Sequence, residues 1–361
     1  MPINNSEKQF ESDIEFDLLS QGYRQIKPAE YNATNAVFPE ILAEFISNTQ
    51  PKEWARYTKY YGDRAIEKLV RRFNETVEAR GVLDVIKNGI EDMGIKLKLC
   101  YSRPESSLNQ ELVNLYNKNI IGITRQFKYS TQNNNSIDMV ISINGIPLFA
   151  FELKNQLKGQ DYNNAIMQWK EDRDPKELCF RFNRRFLAYF AVDLYEVWMT
   201  TKLEGDKTTF LPFNQGSNGP GKSGGAGNPT NPNGYATSYL WQIVFDKNSA
   251  FDLINRFITL NVEKKEYFVN GVKKSEISER LIFPRYHQYD VVNKLVADIK
   301  QNGAGRNYLI KHSAGSGKSN SIAWIAYRAA SVFNEEDKPI FDSVIVVTNR
   351  IVLDSQLQDT N

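Results

Sequence analysis

At 361 residues the chain is long enough for two or three domains, and its 41% hydrophobic and 24% charged content excludes a disordered or fibrous protein. A net charge of +2 excludes a general electrostatic pull on nucleic acid, so any such contact must come from local basic patches. Cys100 and Cys179 stand alone, which excludes a disulfide framework and suits a reducing compartment; without an apolar run of about 18 residues or an apolar leader, a cytoplasmic protein with no membrane contact is expected.

Residues 8–20 set Phe10, Ile14 and Leu18 at helical spacing with Gly22 as the stop, which predicts an amphipathic first helix. Residues 38–46, 54–61 and 65–80 repeat the pattern between breaks at Gly62 and Gly81, as a helical block. Strand character follows at 95–101 and 121–127, and residues 137–143 and 147–154 form the clearest β pair, turned at Asn144-Gly145. A helix is expected at 158–173 and strands at 186–191 and 194–201. Residues 214–234 hold seven glycines, three prolines and five asparagines in 21 positions, which is loop chemistry without periodicity. That stretch reads either as a linker or, because the aromatic run 235–245 behind it looks folded, as a loop at the edge of the N-terminal domain. A helix at 249–258 and a polar connection at 264–274 lead into 279–310, and no internal repeat is visible.

Both strands of the central pair are apolar on both faces, as in a buried sheet, yet they carry Asp138, Glu152 and Lys154. Glu152 and Lys154 are two apart and share a face, whereas the side taken by Asp138 depends on the turn. A two-residue turn pairs 143 with 146 and 138 with 151, which sends Asp138 to the other side. A three-residue loop with a left-handed Gly145 pairs 138 with 150 and brings the three charges together. Two carboxylates of this kind suit Mg²⁺, which lowers the pKa of a bound water, and a lysine can orient that water or stabilise charge on a phosphorane. The competing reading is a structural ion pair at the strand end.

Farther on, Tyr308-Leu-Ile-Lys-His-Ser-Ala-Gly-Ser-Gly-Lys-Ser-Asn320 combines a short apolar strand with a glycine loop and a helix. Backbone N–H groups around Gly315, Ser316 and Gly317 would wrap the phosphates of a nucleoside triphosphate, Lys318 would add charge, and the Ser319 hydroxyl would ligate Mg²⁺. A strand at 307–310, a helix at 320–332 and a second strand at 343–347 are the expected βαβ frame. His312 stands where such loops usually begin with Gly or Ala, and Gln288 could read an adenine edge or be a plain surface residue. Lys318 is 43 residues from the last residue, and a working motor domain needs more chain than that. Basic stretches at 64–72 and 181–185 are candidate phosphate grips, with a solvated helix face and a strand edge as the alternatives.

The Asp-x13-Glu-x-Lys pattern resembles the PD-(D/E)XK nuclease motif, with Ile137 replacing the usual proline. Related nucleases suggest Glu11 or Glu15 as a further carboxylate and Gln168 as a helix glutamine, although position 172 is Asp where a tyrosine is usual. More specifically, the chain is similar to the N-terminal part of the restriction (R, or HsdR) subunit of type I restriction-modification enzymes. The residues that carry this begin with Ser136-Ile-Asp-Met-Val140, Phe151-Glu-Leu-Lys-Asn155, Phe210-Leu-Pro-Phe-Asn214, Gly225-Ala-Gly-Asn-Pro229 and Thr237-Ser-Tyr-Leu-Trp241. They continue through Phe283-Pro-Arg-Tyr-His-Gln288, the loop from His312, which is characteristic of the family, and Val346-Val-Thr-Asn-Arg-Ile-Val-Leu-Asp354.

The resemblance implies a mixed α/β chain: a nuclease-like α/β/α domain over 1–261, with the 214–234 loop, then the start of a RecA-like P-loop motor domain over 262–361. It implies Mg²⁺-dependent cleavage of double-stranded DNA driven by ATP, in complex with methyltransferase and specificity subunits. Asp138 and Glu152 would be metal ligands, Lys154 the catalytic lysine, and Gln288 with Gly315 to Ser319 the Mg-ATP site. The acidic hydrolysis motif, the second lobe and its arginine finger would lie beyond Asn361, so ATP hydrolysis by this length alone is not expected. Two other functions are open: an inactive nuclease-like docking module on a P-loop ATPase, and an ATPase whose N-terminal domain senses a small ligand.

Overall fold

The computed structural model describes residues 7–347, apart from 107, 157–158, 270–271, 314 and 335. Phe10, Ile14 and Leu18 form one buried stripe of α1 (Glu7–Ser20), as their spacing predicts. The short β1 (Arg24–Gln25) follows, and then the helical block: α2 (Pro39–Thr49), α3 (Pro51–Tyr61), α4 (Ala65–Arg80) and α5 (Val82–Asn88). Prolines open α2 and α3 where no N–H is needed, and Gly62 and Gly81 end α3 and α4 with positive φ. Of the expected strand at 95–101, only β3 (Ile95–Leu97) pairs, and it does so with β2 (Ile90–Asp92) outside the main sheet. An unexpected helix, α6 (Gln110–Asn117), is capped by Asn109, whose side chain accepts from the Leu112 N–H.

The main sheet is mixed, in the order β1, β4 (Ile121–Lys128), β5 (Ser136–Ile143), β6 (Ile146–Leu153), β7 (Ala188–Val192), β8 (Val197–Thr200), β9 (Leu211–Pro212). The β1–β4 and β6–β7 pairs are parallel and the others antiparallel. Helices cover both faces: α1, α2 and α4 bury one core, and α7 (Tyr162–Glu171) seals the other with Ala165 and Trp169. The chain is therefore mixed α/β, as expected.

The β5–β6 hairpin follows neither expected register. Asn144 (φ 51°) and Gly145 (φ 84°) form a two-residue turn with Ile143 opposite Ile146. Ser142 then pairs with Pro147, but Ile141 pairs with Phe149, so Leu148 is the extra residue of a β-bulge. Pro147 has no N–H to give the ladder, which is where a bulge costs least. Pairing continues through Val140↔Ala150 and Met139↔Phe151, so Asp138 and Glu152, next in line, fall on one face of the sheet. The bulge restores the parity that a three-residue loop was expected to supply.

The turn is also a packing joint. A Cβ on Gly145 would lie 2.6 Å from the Phe38 carbonyl oxygen and 2.8 Å from the Leu42 nitrogen. Gly145→Ala combines that clash with a left-handed backbone, and a loss of about 1–3 kcal/mol is expected in denaturant unfolding. Unchanged stability would contradict this turn.

Residues 240–244 and 253–257 are π-helical, on either side of α8 (Lys247–Asp252). The connection expected to be merely polar is a long antiparallel hairpin, β10 (Thr259–Val269) with β11 (Val272–Ile282). Cross-strand charge pairs such as Lys273–Glu266 (2.6 Å) hide its period of two, and Asn270-Gly271 was the sequence signal for it. Behind it, α9 (Tyr286–Asn302) packs Tyr286, Tyr289 and Val292 into the same core as α1. Helix α10 (Lys318–Ala329) follows the glycine loop as expected. Residues 307–310 and 343–347 do not: they join no sheet, and Leu309, Ile345 and Val347 are 93%, 83% and 88% exposed. A β-rich segment becomes a strand only beside a ladder partner, and none lies alongside among the described residues. The βαβ frame is present only as its helix, and residues 348–354 of the last quoted motif lie outside the described residues.

Candidate functional site

Three carboxylates meet where α1 crosses the start of β5, with a fourth, Glu152, beside them on the next strand. Glu7, Glu11 and Asp138 each offer an oxygen within 4.8 Å of the others. Asp138 and Glu152 follow Met139 and Phe151, the last paired residues at that end of β5 and β6, and so fall on one face of the sheet. Asp138 Oδ2 also accepts the Leu153 N–H at 2.7 Å. Lys154, 7% exposed, places Nζ 3.6 Å from Glu7 and 3.9 Å from Asp138. Of the three residues expected to meet, Asp138 and Lys154 do, joined by Glu7 and Glu11 of the first helix. Glu152 is near enough to feel the charges of Asp138 and Lys154 but lies outside the group of carboxylates within 4.8 Å of one another. Glu15 is drawn off by Arg125 (3.2 Å) and Gln25 (2.9 Å).

Glu11 is aimed by two residues of β4 that sequence reasoning missed. Arg125 binds it at 2.9 Å, and Gln126 Nε2 donates to it at 3.1 Å. Gln126 is left-handed (φ 48°) in mid-strand, an uncommon state for a residue with a side chain. Burial pushes the Glu11 carboxyl up, Arg125 pulls it back, and Asp138 pushes it up again.

Glu152 has its own counterion. Arg173, just past α7, binds Glu152 Oε1 through two nitrogens, at 2.5 and 3.1 Å. The guanidinium donates to the Ser136 carbonyl (2.9 Å) and lies against Tyr129 and Trp169, with 5.2 and 5.9 Å to the ring centroids. Glu152 Oε2 is buried and accepts no hydrogen bond. Burial first, and Asp138 second, hold the Glu152 carboxyl well above its ordinary range, although Arg173 and Lys154 oppose them. A buried carboxylate demands a cation, so the missing clue to Arg173 was the burial of Glu152. Gln168 lies on α7, half-buried.

The glycine loop is built by its own backbone and by α9. Gly315 (φ 71°) and Gly317 (φ 76°) are left-handed. Gln288 Oε1 caps Arg285 N at 2.8 Å, and Nε2 donates to the carbonyls of Ser316 (3.2 Å) and Gly317 (2.7 Å). The amide expected to face a base is thus used to brace the loop: Gln288 is the third residue of α9, where a side chain folds back to cap. His287 Nε2 also reaches the Ser316 carbonyl, at 3.1 Å, and burial holds its pKa down. Lys318 Nζ rests on the carbonyls of His312 (3.1 Å) and Ser313 (2.9 Å). A cleft of about 630 Å³ runs from Gly315 and Gly317 to Lys202, Arg280 and Arg285.

The basic stretches are largely neutralised. Arg64 pairs with Glu67, Arg71 and Arg72 with Glu75, and Arg181 and Arg184 with Glu78. Arg185 is buried and holds the carbonyls of Ala36 and Asn35. No helix among the described residues is long and apolar enough to cross a membrane.

Comparison with known proteins follows the same two regions. A family model described as the type I restriction enzyme R protein N terminus matches residues 4–208, and one described as SWI2/SNF2 ATPase matches 287–361. The chain is similar to the "Putative type I restriction enzyme MjaVIIIP endonuclease subunit" of Methanocaldococcus jannaschii, 25% identical over 357 residues, which cover 96% of this chain and 31% of that protein. It is also similar to the type I restriction enzyme HindI endonuclease subunit of Haemophilus influenzae, 26% identical over 239 residues, covering 62% of this chain and 19% of that one. The chain thus spans less than a third of the length of these relatives.

Proposed function

The chain belongs to the type I restriction enzyme R protein N-terminal family, and from that premise we propose that it is the nuclease-bearing part of a restriction subunit. In this reading, residues 1–261 form a PD-(D/E)XK nuclease domain that cuts double-stranded DNA with Mg²⁺. Residues 262–361 open a RecA-like motor that binds ATP, and the complete subunit works in the cytoplasm with methyltransferase and specificity subunits.

One observation carries the nuclease reading: Glu152 Oε2 is buried without a donor, on the same sheet face as Asp138. A hard divalent cation fits these groups in its chemistry, since Mg²⁺ takes oxygen donors and is usually held by one or two carboxylates, and a buried carboxylate oxygen without a donor is open to it. Asp138 and Glu152 would hold it, with Glu11 or Glu7 as a further ligand, and when bound it would supply a water of lowered pKa and charge for the scissile phosphate. Lys154 keeps an ammonium at the cluster to face developing phosphate charge, and Arg173 fixes the orientation of Glu152. A docking module without chemistry would have no need of a nearly buried lysine among carboxylates.

The loop fits a triphosphate by the same standard. At Gly317 a Cβ would lie 2.5 Å from Gln288 Nε2, so only glycine leaves the braced loop intact. The N-terminus of α10 favours anionic oxygens, and Lys318 can exchange its two loop carbonyls for them. Ser319 would hold the Mg²⁺ of the nucleotide.

Thermal unfolding with and without Mg²⁺ tests the metal site directly. Glu11 and Glu152 have raised carboxyl pKa values. Their contribution to stability is therefore full below the ordinary glutamate pKa and is lost as pH rises through the folded value. Mg²⁺ needs the ionised carboxylates, so its stabilisation is expected to be small at acid pH and to grow as pH rises through the raised folded-state values, toward about 2.7 kcal/mol at a hundredfold excess over Kd. Asp138→Asn keeps an acceptor for the Leu153 N–H but is expected to lose the Mg²⁺ shift. An equal shift in wild type and variant would refute the site.

A further inference from the structure

Two side chains, Trp324 and Arg328, join the helix that carries Lys318 to the N-terminal part of the chain, and a phosphate loop needs neither of them. Trp324 Nε1 donates to the Phe257 carbonyl oxygen at 2.9 Å, with the two rings 5.6 Å apart. One turn later Arg328, 5% exposed, lies over the same ring at 5.5 Å and reaches Asp252 at 3.9 Å. Asp252 also faces Arg256 at 3.4 Å and Arg103 at 3.6 Å, so one carboxylate serves guanidinium groups from three separate parts of the chain. Its balance depends on where each arginine stands.

The segment that receives these contacts is irregular. Residues Leu253–Phe257 form a π turn closed by Ile258 N–H to the Leu253 carbonyl at 2.8 Å. A π turn running on from an α-helix holds one residue more per turn than the helix before it, and such turns are frequent at functional sites. Its other side is set in the N-terminal domain: Leu253, Ile254 and Phe257 lie in the main core, and Lys87 donates to the Ile258 carbonyl at 2.9 Å. Lys318 and Arg328 stand on one helix of 12 residues, so the loop end and the docking end move together, about 15 Å apart.

We propose that Trp324 and Arg328 are positioning residues that couple nucleotide occupancy of the loop to the Leu253–Phe257 turn, and so to the sheet domain. The inference rests on the reading of the loop as a nucleotide site. Coupling of this kind is reciprocal: a contact through which nucleotide shifts the turn is also one through which the turn sets nucleotide affinity.

The test uses the complete subunit, with amide hydrogen exchange over 247–258 and the affinity for a fluorescent ATP analogue measured together. In wild type, nucleotide is expected to change exchange in that segment. Trp324→Phe, which keeps a ring and removes the donor, and Arg328→Met are expected to erase the change and to alter affinity by roughly 5- to 150-fold. Nucleotide binding without an exchange change at 247–258 overturns the coupling, as do variants that keep the wild-type response and affinity. If Arg328→Met fails to fold, Trp324→Phe decides alone. A folded wild type that binds no nucleotide overturns the loop reading itself, and the coupling with it.

Discussion

Lys154→Ala is expected to lower DNA cleavage by the complete restriction enzyme roughly 10²- to 10³-fold while leaving its ATP hydrolysis intact. The lysine is nearly buried between Glu7 and Asp138, where its ammonium is placed to face developing phosphate charge in the proposed reaction. Asp138→Ala should be at least as severe, because it removes a ligand and the acceptor of the Leu153 N–H together. Lys318→Ala provides the contrast, since it should abolish both ATP hydrolysis and cleavage by removing the charge at the phosphate loop. Gel assays of plasmid cleavage beside a phosphate-release assay separate the cases. Cleavage that survives Asp138→Ala and Lys154→Ala but not Lys318→Ala would show that the nuclease chemistry lies elsewhere.

Arg173→Met is expected to cost about 3–5 kcal/mol in denaturant unfolding near neutral pH, the largest stability effect of any single change proposed. The guanidinium is 2% exposed and Glu152 wholly buried, so removing the cation leaves an uncompensated carboxylate in the core. The Glu152 carboxyl already sits above its ordinary range through burial and Asp138. Without Arg173 it rises further, so the variant should bind a proton on folding and recover part of the loss as pH falls. Glu152→Gln in the Arg173→Met background should likewise restore stability, since a neutral amide has no charge to leave unpaired. A single-variant effect within about 0.5 kcal/mol would mean that the pair does not hold the site together.

These two predictions differ in how far the sequence foresaw them. Lys154 stood out because a charge two residues from Glu152 in an apolar strand needs a partner, whether in a metal site or in a structural ion pair. Arg173 did not, because nothing near it in the chain distinguishes it from a surface arginine at a helix end. The same contrast runs through the second site: the glycine–lysine–serine run announced a phosphate loop, while the brace supplied by Gln288 came from a helix start thirty residues away.

Features that depend on a few neighbouring residues could be read from the chain alone. The stripe of Phe10, Ile14 and Leu18 makes α1 a helix with a buried face, Asn144-Gly145 makes a tight turn, and Gly317-Lys318-Ser319 makes a loop with its helix behind it. Tertiary structure decided which of these meet. A single bulge at Leu148, beside a proline that cannot join the ladder, set Asp138 on the same face as Glu152, because one residue of slip moves a side chain to the other face of a sheet. Packing of α1 across β5 brought Glu7 and Glu11 to the same point, and burial of Glu152 required the cation that Arg173 supplies. Register and counterions are properties of elements in contact, and their residues lie too far apart in the chain for spacing or propensity to reveal them.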